Sequence, residues 1–292
     1  MKQTILTLAL ATLSTAALAQ FNLANYQLTS TIGYASLPDN DELSGVTYNW
    51  DNGRLYAVED EGLRIFEFDK FGNYLSSMQL LNAGTDPEGI TYIGGGQFLV
   101  AEERIQDMYR ISYTAGGSLN RTGLPTFSVG ATVGNVGLEG ISYDPISGTV
   151  FGAKEKTPQG IYSVTGLDLP TMTGGVVSMY TPSFGTLDLA DVQVLSTVSA
   201  LVGSGDQNNL LVLSQESKLL MEVDQAGNIL SQLDLTSLGS ASIEGVTVDE
   251  NGTIYLVSED PKMFILNVPE PSTMALVVLG GGLLALRRRS QA

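Results

Sequence analysis

The sequence contains neither cysteine nor histidine in its 292 residues. The lack of cysteine excludes disulfides, thiolate nucleophiles and cysteine–metal sites. The lack of histidine removes the commonest general base and the commonest zinc ligand, so a Ser-His-Asp triad is excluded as well. Any catalysis or metal binding must therefore rely on carboxylates and other oxygen groups.

Positive charge is also scarce, because 14 basic residues stand against 31 acidic ones. The two terminal segments hold four of those basic residues and one acidic residue, so the region between them has a net charge of −20. Such a domain repels nucleic acid and anionic lipid and attracts cations. The alternative is that the acidity only keeps an exported protein soluble.

Both ends of the chain are typical of targeting segments. Residues 1–19 have a charged start at Lys2, an apolar stretch and a small-x-small cleavage site at Ala17-Leu18-Ala19, which predicts a secretory signal peptide removed by signal peptidase. Near the other end, Val268-Pro269-Glu270-Pro271-Ser272 precedes the apolar run Met274–Leu286 and then Arg287-Arg288-Arg289. Basic residues after an apolar run stay in the cytoplasm while the run sits in the membrane, although 13 residues are short for a full span.

This order of elements resembles the PEP-CTERM sorting signal. The resemblance implies recognition by an exosortase, cleavage near Pro269-Glu270-Pro271 and delivery to the cell surface or the extracellular matrix. A plain C-terminal anchor is the alternative. We therefore divide the chain into a signal peptide (1–19), a mature domain (20–267) and a sorting segment (268–292) with a short transmembrane stretch.

The mature domain contains five internal repeats. Their starts are separated by 44, 51, 51 and 54 residues. The starts are Leu43-Ser44-Gly45-Val46, Pro87-Glu88-Gly89-Ile90, Leu138-Glu139-Gly140-Ile141, Leu189-Ala190-Asp191-Val192 and Ile243-Glu244-Gly245-Val246.

Each start opens a first strand, and a second and a third strand follow. The second strands each end in an acidic residue, as Leu55–Glu59, Phe98–Glu102, Val150–Glu155, Leu211–Glu216 and Tyr255–Glu259. The third strands are predicted at Arg64–Phe68, Met108–Tyr113, Gly160–Val164, Leu219–Val223 and Met263–Asn267.

Four antiparallel strands in about 50 residues make one propeller blade, and Gly-Asn turns in units one and four precede the fourth strand. Unit five stops after its third strand, so we predict that Tyr26–Tyr34 supplies its outer strand and closes the ring. In unit four, Ser196–Asn209 is predicted to insert a hairpin or loop. The sequence thus predicts an all-β, five-bladed propeller.

The same residues resemble the SdiA-regulated propeller family. The shared phrases are Leu43-Ser44-Gly45, Asp86-Pro87-Glu88-Gly89, Gly137-Leu138-Glu139-Gly140, Leu213-Ser214-Gln215-Glu216-Ser217 and Glu244-Gly245-Val246 with Tyr255–Glu259. The resemblance implies a calcium-binding propeller related to phytase-like and esterase-like propellers, some of which are hydrolases. Ala190-Asp191 departs from the Ser-Gly-like pair of the family, which leaves the role of that position open.

Two acidic series are candidates for the site. First strands line the channel of a propeller, so Glu88, Glu139 and Glu244 should converge there, with Glu42 and Asp188 just before their own starts. Ca²⁺ prefers six to eight oxygen ligands and suits such a cluster. The alternative is that each Glu accepts backbone N–H groups of the next blade and locks the ring.

The second series consists of the acids that end the second strands. We expect them on one face of the disc, either as solvated strand ends or, for Glu102 and Glu155, as the lining of a substrate entrance. Asp60, Glu61, Glu103 and Asp260 extend the charge beside this series, which consists of Glu59, Glu102, Glu155, Glu216 and Glu259.

Three functions remain open. The first is a calcium-stabilised surface module that binds a ligand such as an exopolysaccharide. The second is a metal-dependent hydrolase of phosphoesters or lactones, in which a channel Glu is the base. The third is a purely structural matrix protein.

Overall fold

The computed structural model describes residues 20–35, 37–38, 42–82, 86–239 and 242–269. The predicted signal peptide, and the predicted sorting segment from residue 270 onward, lie outside these residues. No helix within the described ranges is both long and apolar enough to cross a membrane.

The described residues form five β-sheets, each corresponding to one sequence repeat. Blade one contains β2 (Gly45–Asn49), β3 (Arg54–Glu59), β4 (Arg64–Phe68) and β5 (Tyr74–Leu81), extended by β9 (Ser118–Asn120). Blade two contains β6 (Pro87–Gly94), β7 (Gln97–Glu102), β8 (Asp107–Ser112) and β10 (Thr126–Ser128).

The remaining blades follow the same plan. Blade three contains β11 (Leu138–Asp144), β12 (Thr149–Lys154), β13 (Gly160–Thr165) and β14 (Val176–Tyr180). Blade four contains β15 (Asp191–Val194), β16 (Leu210–Ser214), β17 (Leu219–Val223) and β18 (Ile229–Asp234). Blade five contains β19 (Ile243–Val248), β20 (Ile254–Ser258), β21 (Lys262–Asn267) and β1 (Gln27–Gly33).

The N-terminal strand closes the ring, as the short fifth repeat predicted. β1 runs antiparallel to β21, with Gln27 opposite Asn267 and Gly33 opposite Lys262. The first strands of neighbouring blades lie side by side all the way around, and β19 of blade five contacts β2 of blade one. The prediction of a five-bladed propeller is confirmed.

Five hydrophobic cores hold the ring together, and each lies between two adjacent blades. Between blades one and two, for example, Tyr56 and Ile65 pack with Tyr92 and Phe98. Alternate residues of a strand face opposite sides of its sheet, so every blade contributes one face to each of two cores. The fold is stabilised mainly by burial between blades.

A glycine near the start of most first strands permits the blades to approach closely. A Cβ added at Gly45 would lie 2.3 Å from the carbonyl oxygen of Glu88 in the next blade. Blade four carries Asp191 at this position, and the Asp191 side chain spans the gap instead. The backbone N–H of Val246 in blade five donates to Asp191 Oδ2 at 2.8 Å, which links the two blades.

A second link repeats around the ring and involves the residue two positions after that glycine. Between blades one and two, Tyr92 N–H donates to Thr47 Oγ1 at 3.0 Å. Equivalent bonds join blades two and three, blades three and four, and blades five and one. Between blades four and five, Thr247 Oγ1 donates to Gln193 Oε1 at 3.0 Å. We call this series the hydroxyl belt, which consists of Thr47, Thr91, Ser142, Gln193 and Thr247.

Two details differ from the regular plan. The chain between β8 and β10 first adds β9 to the outer edge of blade one, parallel to β5, before it returns to blade two. The segment Ser196–Asn209 forms two 3₁₀ turns, Ser199–Leu201 and Gly205–Asn208, where the sequence predicted a hairpin or loop. A further 3₁₀ turn, Leu23–Asn25, precedes β1, and another, Thr236–Leu238, follows β18.

Candidate metal-binding cavity

First strands begin, and second strands end, at the same face of the disc, which we call the mouth face. The opposite face, where first strands end, is the base face. A cavity of about 220 Å³ opens at the mouth face, around the start of the channel. We call it the acidic cavity, and its lining consists of Glu42, Asp60, Asp86, Glu88, Glu103, Arg104, Asn135, Glu139, Glu155, Asp188, Ala190, Gln215, Glu244 and Glu259. Ten carboxylates thus face a single guanidinium group.

All five residues of the first acidic series line this cavity. Glu88, Glu139 and Glu244 occupy the same place in blades two, three and five, immediately before the close-approach glycine. Ser44 and Ala190 hold that place in blades one and four. The cavity is therefore not five-fold symmetric in charge, although the backbone around it is.

The second acidic series separates into two groups. Glu155 and Glu259 line the cavity, and Glu216 is exposed beside it. Glu59 and Glu102 are buried and are not among the lining residues. Glu59 accepts a hydrogen bond from the Gly62 N–H at 2.7 Å, and Glu102 lies 3.2 Å from Arg121.

Strand register explains this division. Val58, Ala101, Ala153, Leu213 and Val257 pair with corresponding residues of the first strands. The first residue after each of these paired residues faces the blade interior, and the second residue after it faces the channel, as Glu59 and Asp60 do after Val58. The channel-facing residues are Asp60, Glu103, Glu155, Gln215 and Glu259, all of which line the cavity.

A third repeated place lies three residues before the close-approach position. It holds Glu42, Asp86 and Asp188 in blades one, two and four. Asp188 accepts hydrogen bonds from the Ser214 hydroxyl and, at 3.0 Å, from the Glu216 N–H. Asp86 was missed by our sequence reasoning, although its spacing from Gly89 equals that of Glu42 from Gly45.

Crowding of carboxylates in this site raises their pKa values. Burial, together with Asp60 and Asp86, raises the pKa of Glu88 well above its usual range. Burial and the neighbouring Glu88 and Glu103 do the same for the pKa of Glu139.

The pKa values of two further carboxyl groups are also raised. Burial and Asp86 raise the pKa of Glu103 to about 7. Burial and Glu259 raise the pKa of Glu244 to about 11. Without a counter-charge, the cavity therefore retains protons at neutral pH.

Two basic side chains partly neutralise the rim of the cavity. Arg104 Nε donates to Asp86 Oδ2 at 2.5 Å, and its NH2 group donates to the Asn135 side chain at 3.0 Å. Lys156 Nζ lies 2.5 Å from Glu155 Oε1 and 2.7 Å from Glu216 Oε1. Both are at least one-third exposed, so they lie at the edge of the cavity and leave its interior negative.

Four groups of three carboxylates within the described residues have oxygens that all lie within 4.8 Å of one another. These groups are Glu42, Asp60 and Glu61; Asp60, Asp86 and Glu88; Glu103, Glu139 and Glu155; and Glu155, Asp188 and Glu216. Glu88 and Glu139 thus share the cavity but belong to different groups. Glu244 instead accepts a hydrogen bond from Gln215 Nε2 at 2.8 Å.

The chemistry of the site fits a hard divalent cation. Every side-chain donor atom in the four groups is a carboxylate oxygen, which is the ligand that Ca²⁺ prefers. In addition, Glu155 Oε2 is buried and has no hydrogen-bond partner within the described part of the chain. A buried carboxylate oxygen without a partner costs free energy, and a bound cation would remove that cost.

Fold and site together define a five-bladed propeller with an acidic channel mouth. The chain belongs to the SdiA-regulated family, whose pattern it matches over residues 20–266. Residues 267–289 match the PEP-CTERM protein-sorting motif, which implies recognition by an exosortase during export.

Solved propellers are similar to this chain at low identity. A virginiamycin B lyase from Staphylococcus aureus is 17% identical, with a TM-score of 0.44, over 77% of this chain and 66% of the lyase. A streptogramin B lyase is 18% identical, with a TM-score of 0.45, over 80% of this chain and 67% of the lyase. The WD40 propeller domain of Doa1 is 13% identical, with a TM-score of 0.49, over 84% of this chain and 97% of that domain.

Proposed function

We propose that the mature protein is an exported calcium-binding propeller that acts as a binding module at the cell surface or in the extracellular matrix. The observation that carries this proposal is the acidic cavity, in which ten carboxylates face one arginine. An exported domain works where Ca²⁺ is plentiful, and a cation that neutralises this cluster would stabilise the ring of blades.

The groups that would hold the ion lie at junctions between blades. Asp60 of blade one lies with Asp86 and Glu88 of blade two, and Glu103 of blade two lies with Glu139 and Glu155 of blade three. A cation bound at either junction would join two blades. Three carboxylates supply fewer oxygens than the six to eight that Ca²⁺ prefers, so an anionic or hydroxyl-bearing ligand, such as an exopolysaccharide, would have oxygens to contribute.

The experiment is thermal unfolding of the mature protein in chelator and in calcium. A ligand that binds only the folded state adds ~2.7 kcal/mol at a hundredfold excess over Kd. For a domain of this size that corresponds to a rise in Tm of about 5–10 °C. An unchanged Tm would contradict the proposal.

Glu139→Gln separates a metal ligand from a structural lock. If Glu139 is a metal ligand within a repulsive cluster, the variant should have a higher Tm than the wild type in chelator and a smaller rise in Tm when calcium is added. A lock that needs the charge would instead lower the Tm in both conditions. Asp168→Asn, at an exposed site outside the cavity, is the matched control and should keep the wild-type calcium response.

A cation-dependent hydrolase is the second candidate. It is favoured by Glu103, whose raised pKa of about 7 suits a general base, and by Arg104, whose guanidinium group lies at the rim for an anionic substrate. Calcium-dependent turnover of a phosphoester or a lactone would establish this activity. A calcium-stabilised protein that turns over neither would remain a binding module, and one without a calcium response would be a structural matrix protein.

A further inference from the structure

The base face is the side from which the chain continues toward its sorting segment. β21 runs from the mouth face to the base face and ends at Asn267, after which Val268 and Pro269 follow. β1 starts on the same side, because Gln27 pairs with Asn267. The acidic cavity opens on the opposite side.

Exposed apolar side chains are concentrated toward the base face. Of the fifteen large apolar side chains that are exposed in the described part of the chain, ten lie in turns or strand ends on that side. They are Leu28, Phe71, Tyr74, Leu75, Ile146, Val176, Val202, Ile229, Leu230 and Val268. Three of them are turn residues, with Phe71 79%, Val202 62% and Ile146 59% exposed, and Val176 at the start of β14 is 66% exposed.

The sequence limits how far this face can lie from a membrane. Only four residues lie between Pro269 and Met274, where the apolar run begins, and the five Cα-to-Cα steps of a fully extended chain span at most ~18 Å. Blade strands of five to eight residues are about 17–26 Å long, so the mouth face lies roughly that much farther away. The short connection to the sorting segment and the exposed apolar turns therefore lie on the same side of the molecule, the base face.

We propose that the base face lies on the lipid bilayer that holds the sorting segment, with Phe71, Ile146 and Val202 in contact with the lipid headgroup region. The acidic cavity then faces away from the membrane and is open to the medium. Because the domain is strongly negative, apolar contact and the sorting segment provide the attraction, and a zwitterionic surface suffices. This proposal is independent of calcium binding.

The experiment uses the absence of cysteine, which lets each variant carry a single label. Phe71→Cys places a fluorophore at the base face, and Ile105→Cys places one at the mouth face. Each protein, with its sorting segment intact, is reconstituted in chelator into phosphatidylcholine vesicles that contain a headgroup nitroxide lipid. We expect several-fold stronger quenching at position 71 than at position 105.

A second pair guards against a local effect of either substitution. Val202→Cys at the base face and Leu187→Cys at the mouth face, which are 62% and 64% exposed in the native protein, should repeat the contrast. The comparison does not depend on which way the sorting segment inserts into the vesicle. In either orientation the domain lies beside the bilayer that holds its own sorting segment. Equal quenching at the two faces, stronger quenching at the mouth face, or none at either face would overturn the proposal.

Discussion

Glu103 lies where two blades and three carboxylates meet, and its environment has a measurable consequence. The N–H of Gly137 in the next blade donates to Glu103 Oε1 at 2.9 Å, while Asp86 and Glu139 lie beside it. Burial and Asp86 raise the pKa of Glu103 to about 7. In the unfolded chain a glutamate titrates near 4.3.

Between these two pH values, the folded state holds a proton that the unfolded state has lost. The free energy of unfolding in chelator should therefore fall as the pH rises from about 4.5 to about 7, by at least ~1 kcal/mol. Urea unfolding at several pH values measures the slope, and Glu103→Gln should flatten it. A free energy of unfolding that rises across this range would contradict the prediction.

Predictability at the scale of single residues depends on strand register. The glutamates before Gly89, Gly140 and Gly245 could be assigned to the channel, because the glycines mark the register in the sequence. The ends of the second strands carry no such mark, and acidic pairs such as Glu102-Glu103 leave the phase open. A difference of one residue turns the side chain to the other face of the sheet, which is why Asp60 and Glu103 line the cavity while Glu59 and Glu102 do not.

Among structural elements, the five first strands are held to one another by the hydroxyl belt. Thr91 Oγ1 accepts the N–H of Tyr143 across blades two and three at 2.9 Å; Thr91 is buried and Tyr143 is half-buried. Sequence periodicity assigned these residues to strands but could not show this bond, because it joins side chain to backbone between repeats. The pairing of β9 with blade one could not be predicted either, since a strand of three residues is too short to show a periodic pattern in the sequence.

Replacing one hydroxyl of the belt tests its contribution. Thr91→Val keeps the shape of the side chain but leaves the Tyr143 N–H without its acceptor, which should cost about 1–3 kcal/mol. Thr126→Val, on an exposed outer strand, is the control and should change the free energy of unfolding by less than ~0.5 kcal/mol. Denaturant unfolding in chelator measures both, and equal effects would contradict the role of the belt.

At the scale of the whole molecule, the five repeats made the propeller predictable, because every repeat restates the same strand order. Closure was predictable as well, from a final repeat that lacked one strand and an unassigned strand before the first repeat. The positions of the counter-ions Arg104 and Lys156 were not, since they lie in loops whose paths depend on the assembled ring.

Deleting residues 20–33 tests closure. The variant lacks β1, so the outer edge of β21 is unpaired and the core that includes Phe21, Leu23 and Tyr26 loses those residues. We expect loss of cooperative unfolding and aggregation through the open edge, as measured by calorimetry and size-exclusion chromatography. Deletion of residues 270–292 is the control and should leave a cooperatively folded monomer.

The pairing of β1 with β21 also fixes the order of events during export. A chain that crosses the membrane with its N-terminus leading delivers β1 first and β21 more than two hundred residues later. Pairing over such a separation is slow, because the entropy cost of closing the loop comes before the stabilising contacts form. β21 ends at Asn267, directly before the sorting segment, so the last strand would emerge just as that segment enters the membrane. If the sorting segment enters the membrane as the sequence predicts, it would retain the unfinished propeller there while its final blade assembles.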